Sequence, residues 1–434
     1  MFDRAAETMS RDRRSALQTE RLRLLVGRLI ELDGLQGRRL REAGVDSAAD
    51  LSLESLSTLP VTTKQDLWDN YPLGLLAVPP EDVVAVHGSS GTGGRPTLVG
   101  YTRDDLDVWA QMCARSLGCG GATRASVVHN AYGYGLFTGG AGLHQGAIAM
   151  GATVVPNSSG MTARQVKLLV DLQPDILCCT PSYAVYLGEA VRDAGIDSAQ
   201  LNLKAGILGA EPWTDGLREK IEALLPLKAL DIYGLSEIIG PGVATECIEA
   251  QNGLHVNEDH FLVECIDPAS GTPVGEGEIG ELVFTTLTKQ ALPFVRYRTA
   301  DLASLDSGDC PCGRTLVRMS KVVGRRDDML VIRGVNVFPS EIEQVVLADG
   351  RVAPQYFVVV DKRADTPRLV VACEQVGGGE EVHTELEDAL AARLGLRADV
   401  RMFPAGTLPR QEVGKVVRVL NWSAGDDSPL PGLT

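Results

Sequence analysis

The stretch HGSSGTGGRPTLVGYT, His87 to Thr102, sets four glycines (Gly88, Gly91, Gly93, Gly94) among three small hydroxyl residues (Ser89, Ser90, Thr92) and closes that run with Arg95. Backbone amides in a glycine-rich turn can point together as an anion nest. Hydroxyls add donors and the arginine adds charge, so the natural cargo is a polyphosphate. The order differs from the Walker pattern, because Arg95 is followed by Pro96. A flexible surface turn is the plain alternative.

Three other stretches bear on that choice. DIYGLSE (231–237) ends an apolar run in an aromatic and an acid, and a carboxylate beside a nucleotide commonly holds Mg²⁺. RYRTADL (296–302) supplies Asp301, a good acceptor for a pair of ribose hydroxyls. LPRQEVGKVVRV places Lys415 after a glycine. Taken singly, Glu237 reads as a solvated loop acid, Asp301 as a turn residue and Lys415 as one surface lysine among many. A fourth group suggests a metal. Cys247, His255, Cys310 and Cys312 make a Cys₃His set, a good tetrahedral Zn²⁺ shell, with His260 the rival to His255.

The elements that must position these residues read as α/β. Residues 12–44 carry Leu17, Leu22, Leu25 and Leu29 at helical spacing. ASVVHN, GATVVP, PDILCCT, KAGILGA and KALDIYG are short buried-strand runs alternating with helical stretches. GEIGELVFTTL to RYRTADLASLD reads as hairpin material. GRRDDMLVIRG marks a boundary, and a strand–strand–helix–strand unit follows it. The tail NWSAGDDSPLPGLT, polar and rich in Pro and Gly, is expected to fray.

At 434 residues the chain is too long for one core, so a large domain plus a smaller one is expected. The net charge of −16 argues against nucleic acid and against an anionic membrane surface. No apolar run is long enough to span a bilayer, and no secretory signal is seen, so a cytoplasmic location is expected. The nine scattered cysteines read as buried thiols or metal ligands.

Together and in this order, SSGTGGRPT, YGYGLFTGG, GAEPW, DIYGLSE, PGVATEC, RYRTADL, GRRDDMLVIRGVNVFPSEIE and GKVVRV resemble the phenylacetate–coenzyme A ligase family of the adenylate-forming superfamily. The resemblance runs from about Leu17 to Val419. It implies the adenylate-forming α/β fold: a large N-terminal domain with mixed sheets, residues 1–326, and a small mobile α+β domain, residues 327–434, with its hinge at Asp327. It implies that ATP and Mg²⁺ activate an aromatic acid as acyl-AMP, and that coenzyme A then takes the acyl group. In that scheme Ser89, Ser90, Gly91, Thr92 and Gly93 hold phosphates. Glu237 binds Mg²⁺, and Lys415 bridges the carboxylate and the α-phosphate. Gly209, Ala210, Glu211, Pro212, Asp231, Tyr233, Gly234 and Ser236 surround the nucleotide, with Asp301 on the ribose and Arg325 beside it. Tyr132, Phe137, Gly209, Ala210 and Pro241 line the ring site. Within the loop, Gly93 stands where the family usually has Thr and Arg95 where it has Lys.

Two other readings share these motifs. One is an aryl acid–AMP ligase that loads a separate acyl carrier protein. The other is a nucleotide- or acid-binding protein with impaired catalysis, supported by Gly93 and Arg95 and opposed by Glu237, Asp301 and Lys415. A homodimer is the family habit, though no interface is legible in the sequence.

Overall fold

The alternating buried runs become one large mixed sheet whose crossovers are the helices between them. The computed structural model describes residues 1–32, 34–49, 51–89, 96–333, 335–364, 366–379, 381–410 and 417–433. Its helices are α1 (Arg4–Glu7), α2 (Arg11–Glu31), α3 (Leu35–Glu42), α4 (Lys64–Asp69), α5 (Arg103–Cys119), α6 (Thr138–Met150), α7 (Thr162–Leu172), α8 (Pro181–Asp193), α9 (Asp215–Leu224), α10 (Pro339–Ala348) and α11 (Glu381–Leu394). The glycine loop joins the antiparallel pair β1 (Ala85–Gly88) and β2 (Leu98–Tyr101).

Then come β3 (Val127–Asn130), β4 (Thr153–Pro156), β5 (Ile176–Cys179), β6 (Ala205–Gly209), β7 (Lys228–Leu235), β8 (Gly240–Glu246) and β9 (Leu254–Val256). After them follow β10 (Phe261–Ile266), β11 (Gly280–Thr286), β12 (Tyr297–Ala303), β13 (Leu305–Asp306), β14 (Arg318–Met319) and β15 (Gly324–Arg325). The nine-stranded sheet has the order β13-β14-β9-β8-β7-β6-β5-β3-β4. From β4 to β7 its pairs are parallel, because α6, α7, α8 and α9 carry the chain back after each strand. From β7 to β13 they are antiparallel. A second, antiparallel sheet has the order β10-β11-β12-β15.

The core follows from local signals. A capping box of Thr102 and Asp105 starts α5, and Trp109, Met112, Cys113 and Leu117 then repeat on its buried face. Glycines on α6 let it lie unusually close: a Cβ at Gly146 would sit 2.5 Å from the Cys113 Cβ, and one at Gly142 2.6 Å from the Trp109 ring.

The C-terminal unit has β16 (Leu330–Ile332), β17 (Val335–Val337), β18 (Val352–Lys362), β19 (Arg368–Gln375), β20 (Asp399–Pro404) and β21 (Val419–Ser423). Its sheet runs β20-β19-β18-β21 over α10 and α11, with a separate core of Ile342, Val346, Val358, Val371, Leu386 and Leu390. The expectation of a frayed tail is corrected here. Asn421 and Trp422 extend β21 in parallel register with β18, and Trp422, Leu430 and Leu433 are buried. The scattered apolar residues of that tail find a second face of the sheet to cover, which outweighs its Pro/Gly composition.

The small unit rests on α9. Leu347 of α10 packs with Leu217 and Ile221, Thr214 N donates to Glu343 Oε1 (3.1 Å), and Tyr356 OH donates to Glu343 Oε2 (2.7 Å). Among the described residues no helix is long and apolar enough to cross a membrane.

Candidate active site

The base of the glycine loop is tied to two other segments. Gly88 N donates to Leu136 O (2.9 Å) and Ser89 N to Thr97 O (3.0 Å). The Gly88 carbonyl accepts from Ser236 Oγ (3.3 Å), which also meets Thr138 Oγ1 (3.3 Å) at the start of α6. Ser89 Oγ is buried with no hydrogen-bond partner among the described residues, the kind of orphan that a bound ligand satisfies. Ser90, Gly91, Thr92, Gly93 and Arg95 of the same loop, and Lys415, lie outside the described residues.

Glu237 sits in the turn from β7 to β8. Gly234 lets the two strands converge there, since a Cβ on it would lie 1.9 Å from Gly240 O. Tyr101 OH donates to Ile239 O (3.1 Å) and Ser236 O (3.4 Å), and Lys289 Nζ donates to Glu237 O (3.1 Å). The Glu237 carboxylate is buried, and its one ion-pair partner within 4 Å among the described residues is Lys64 Nζ at 3.9 Å. That is too long for a hydrogen bond, so the carboxylate keeps its acceptor sites open. A buried carboxylate that no described residue donates to, close to the base of the glycine loop, is the ligand type Mg²⁺ prefers.

Asp301 lies opposite Arg325 in the β12–β15 register. Its Oδ2 accepts from Tyr233 OH (2.7 Å) and its Oδ1 from Arg325 Nη1 (2.7 Å). Burial, and then the Asp301 charge, raise the Tyr233 phenol, so it stays a donor. Arg325 also grips Asp327, with Nε–Oδ1 and Nη2–Oδ2 both 2.9 Å.

The segment after β6 turns sharply. A Cβ on Gly209 would lie 2.2 Å from Ile232 O, and Ala210 follows in the left-handed region (φ +72°) with its side chain exposed. Glu211 Oε1 accepts from Ser182 N (2.7 Å) at the start of α8, and Pro212 is exposed. Asp231 N donates to Glu246 Oε2 (2.8 Å), while Arg218 Nη2 binds both Glu246 oxygens (2.8 and 2.9 Å). Burial first, then the Glu246 charge, push the Asp231 carboxyl up to about 7.

Of the ring-site residues, Tyr132 is buried, with its OH 3.5 Å from Ile207 O. Phe137 is half exposed at the N-cap of α6. The Pro241 carbonyl accepts from Trp109 Nε1 (3.0 Å) and Cys113 Sγ (3.2 Å). Tyr132 follows β3, Gly209 and Ala210 close β6, and Glu237 follows β7. These are carboxyl ends of parallel strands, where open α/β sheets bind their ligands.

Cys247, His255, Cys310 and Cys312 come together at the far end of β8, with their ligand atoms all within 4.8 Å of one another. Cys247 Sγ is 3.6 Å from Cys310 Sγ, and Cys312 Sγ is 3.4 Å from His255 Nε2. Tetrahedral Zn–S bonds of about 2.3 Å put two sulfurs about 3.8 Å apart, so the donor set fits zinc. His260 is elsewhere, with Nδ1 on Thr288 Oγ1 (2.8 Å) and Nε2 beside Asp259. The seven residues of β8 separate the cluster from the Glu237 turn by about 20 Å.

Sequence reading missed Lys64, Tyr101 and Lys289. Lys289 stands in TTLTKQALP, a polar run that looks like a surface turn, yet it is 2% exposed. Burial lowers its ammonium to about 8 against the opposing pull of Asp105 and Glu237. Nothing in its local pattern signals that burial.

The AMP-binding enzyme family matches residues 21–287, and the AMP-binding enzyme C-terminal domain matches residues 334–422. The phenylacetate–coenzyme A ligase of Thermus thermophilus is 48% identical over 442 residues, covering 97% of this chain and 99% of that one. A crystal structure of 2-hydroxyisobutyryl-CoA ligase in the postadenylation state with an acyl-AMP superposes with a TM-score of 0.89 at 28% identity, covering 96% of this chain and 91% of that chain. The same ligase in its thioesterification state, with CoA, superposes at 0.73 at 28% identity, over 96% of this chain and 92% of that chain. Identity and coverage barely change between the two, so the difference lies in arrangement, and this chain stands in the postadenylation-like one. The chain belongs to the phenylacetate–coenzyme A ligase family of AMP-binding enzymes.

Proposed function

We propose that the protein is an AMP-forming acid–thiol ligase that activates an aromatic carboxylic acid, phenylacetate or a substituted benzoate-type acid, with ATP and passes the acyl group to coenzyme A. One carboxylate oxygen attacks the α-phosphorus, the bond to the bridging oxygen breaks, and pyrophosphate leaves with the electron pair. The thiol sulfur then attacks the acyl carbon and AMP leaves, the thiol proton going to solvent. The observation that carries this reading is the convergence of the loop base, the open Glu237 carboxylate and the Asp301–Tyr233–Arg325 cluster at one end of the parallel strands.

The first step brings two anions together, so it needs oriented donors and cations. Ser89, Ser90, Gly91, Thr92 and Gly93 hold the phosphates, and Lys415 bridges the carboxylate and the α-phosphate. Glu237 holds Mg²⁺, which when bound neutralises phosphate charge. Asp301 accepts from the ribose hydroxyls, with Arg325 fixing its orientation. Gly209 to Pro212, Asp231, Tyr233, Gly234 and Ser236 frame the nucleotide, and Tyr132, Phe137, Gly209, Ala210 and Pro241 frame the ring. Residues 1–326 form the adenylation domain. Residues 327–434 turn about Asp327 to withdraw Lys415 and admit the thiol; the unequal likeness to the two states of the 2-hydroxyisobutyryl ligase supports that motion. Cys247, His255, Cys310 and Cys312 hold a structural zinc ion, which when bound cross-links the loop 307–313 to the β8–β9 edge.

The test is pyrophosphate release with Mg-ATP and a panel of aromatic acids, each with and without CoA. Acid-dependent release with an acyl-CoA product is expected. Release without a CoA product, and thioester formed only on a phosphopantetheinylated carrier, would replace CoA as the acceptor.

A further inference from the structure

Lys289 is a charge that the fold has taken out of water beside the candidate site. Its ammonium lies 4.9 Å over the Tyr101 ring and has one hydrogen-bond acceptor among the described residues, the Glu237 carbonyl. An ammonium in a dry interior is strongly disfavoured, so such a group is a feature to be explained. Its own backbone is clamped from two sides. Asp105 accepts from Gln290 N (2.6 Å) and Ala291 N (2.9 Å), and Arg28 Nη2 donates to Lys289 O (3.1 Å). Asp105 in turn caps α5 through Thr102 N (2.9 Å). A rigid path thus runs from the capped end of α5, through the segment 288–291, to the turn that carries Glu237. Tyr101 completes it: its ring takes the ammonium face-on while its hydroxyl holds the Ser236 and Ile239 carbonyls. Three carbonyls of one four-residue turn are pinned by two buried side chains, and the one side chain in that turn left with open acceptor sites is the Glu237 carboxylate.

We propose that Lys289, braced by Tyr101, is a positioning residue for the adenylation step, fixing the Glu237 turn so that the carboxylate is held ready for Mg²⁺-ATP. The inference rests on the reading of Glu237 as the magnesium-binding carboxylate. Lys289 acts through the Glu237 backbone and touches no reacting atom. Its loss therefore weakens the magnesium-dependent half-reaction and leaves the second half-reaction, in which AMP is displaced, nearly intact.

The experiment compares the two half-reactions in one preparation of the full chain. ATP–pyrophosphate exchange is measured with phenylacetate as a function of Mg²⁺, and thioester formation is measured from synthetic phenylacetyl-AMP and CoA. For Lys289→Met, exchange falls 20-fold or more and the apparent KM for Mg²⁺ rises at least 5-fold. The KM for phenylacetate and the thioester rate stay within 3-fold. For Tyr101→Phe, exchange falls 3- to 10-fold with the same split, and this variant decides the matter if Lys289→Met does not fold. Equal losses in both half-reactions, or no loss in exchange, would overturn the inference. Glu237→Gln separates it from its basis. If that variant keeps the wild-type Mg²⁺ dependence, the reading of Glu237 falls. If it shifts the dependence and Lys289→Met does not, the role of Lys289 alone falls.

Discussion

The two ends of β8 make a useful contrast. At Glu246 and beyond, each buried charge has an opposite charge beside it. Arg218 takes Glu246, Arg115 takes Asp259 and Asp3, Arg314 takes Glu7, and three thiols meet one imidazole. At Gly240, where the parallel strands end, Ser89 Oγ and the Glu237 carboxylate have no hydrogen-bond partner among the described residues, and Asp301 is held between two donors. One strand connects a region of closely paired charges to one where a buried acid has no cation within hydrogen-bond reach among the described residues. Charged groups inside a fold thus have two meanings, and the pairing of each buried charge separates them.

The contrast breaks if the open end proves dispensable. Lys415→Ala should carry the largest effect, lowering acid-dependent pyrophosphate release at least 100-fold while thioester formation from supplied acyl-AMP falls far less. Next comes Asp301→Ala, which removes charged hydrogen bonds worth about 1.5–3 kcal/mol each. It should raise the apparent KM for ATP roughly 10- to 100-fold by that arithmetic and leave the KM for the acid nearly unchanged.

The charge-paired end should respond in stability and not in chemistry. Metal analysis of untagged protein should give about one zinc per chain. Cys312→Ser should lose that metal and lower the Tm by several degrees, with kcat changed less than 3-fold. A Cys312→Ser protein that keeps its Tm and its metal content would remove the contrast.

The smallest expected effect concerns Asp231, which faces Glu246, Arg218, Lys321 and Trp213. Its folded-state pKa of about 7 is raised above the unfolded 3.8. The folded chain therefore keeps a proton that the unfolded chain has lost, and this stabilising contribution is full below pH 3.8 and gone as pH passes 7. Asp231→Asn removes that dependence, so the Tm difference, variant minus wild type, should grow by a few degrees from pH 5 to pH 8. A flat difference across that range would show that Asp231 ionises freely.

Much of this is legible in the sequence. The strand runs from ASVVHN to KALDIYG fall on β3 to β7, since buried parallel strands write themselves as continuous apolar runs. Cys247, His255, Cys310 and Cys312 were named from donor chemistry, and the antiparallel β9–β14 pairing explains how residues 55 or more apart can meet, setting His255 opposite Arg318. The tail was misread because composition describes solvation and not docking; Trp422, Leu430 and Leu433 are too sparse for a periodic pattern, yet suffice to cover a sheet face. Lys289 and Tyr101 stayed hidden for a related reason. Lys289 meets the Glu237 carbonyl and the Tyr101 ring, and Tyr101 meets the Ser236 and Ile239 carbonyls, partners far apart in sequence that no local spacing encodes.

The most direct test of the central claim is the product balance when the protein turns over phenylacetate, Mg-ATP and CoA. Phenylacetyl-CoA, AMP and pyrophosphate in equal amounts, with no ADP, is the predicted result. ADP and inorganic phosphate in place of AMP and pyrophosphate, or ATP consumed with no thioester at all, would contradict it.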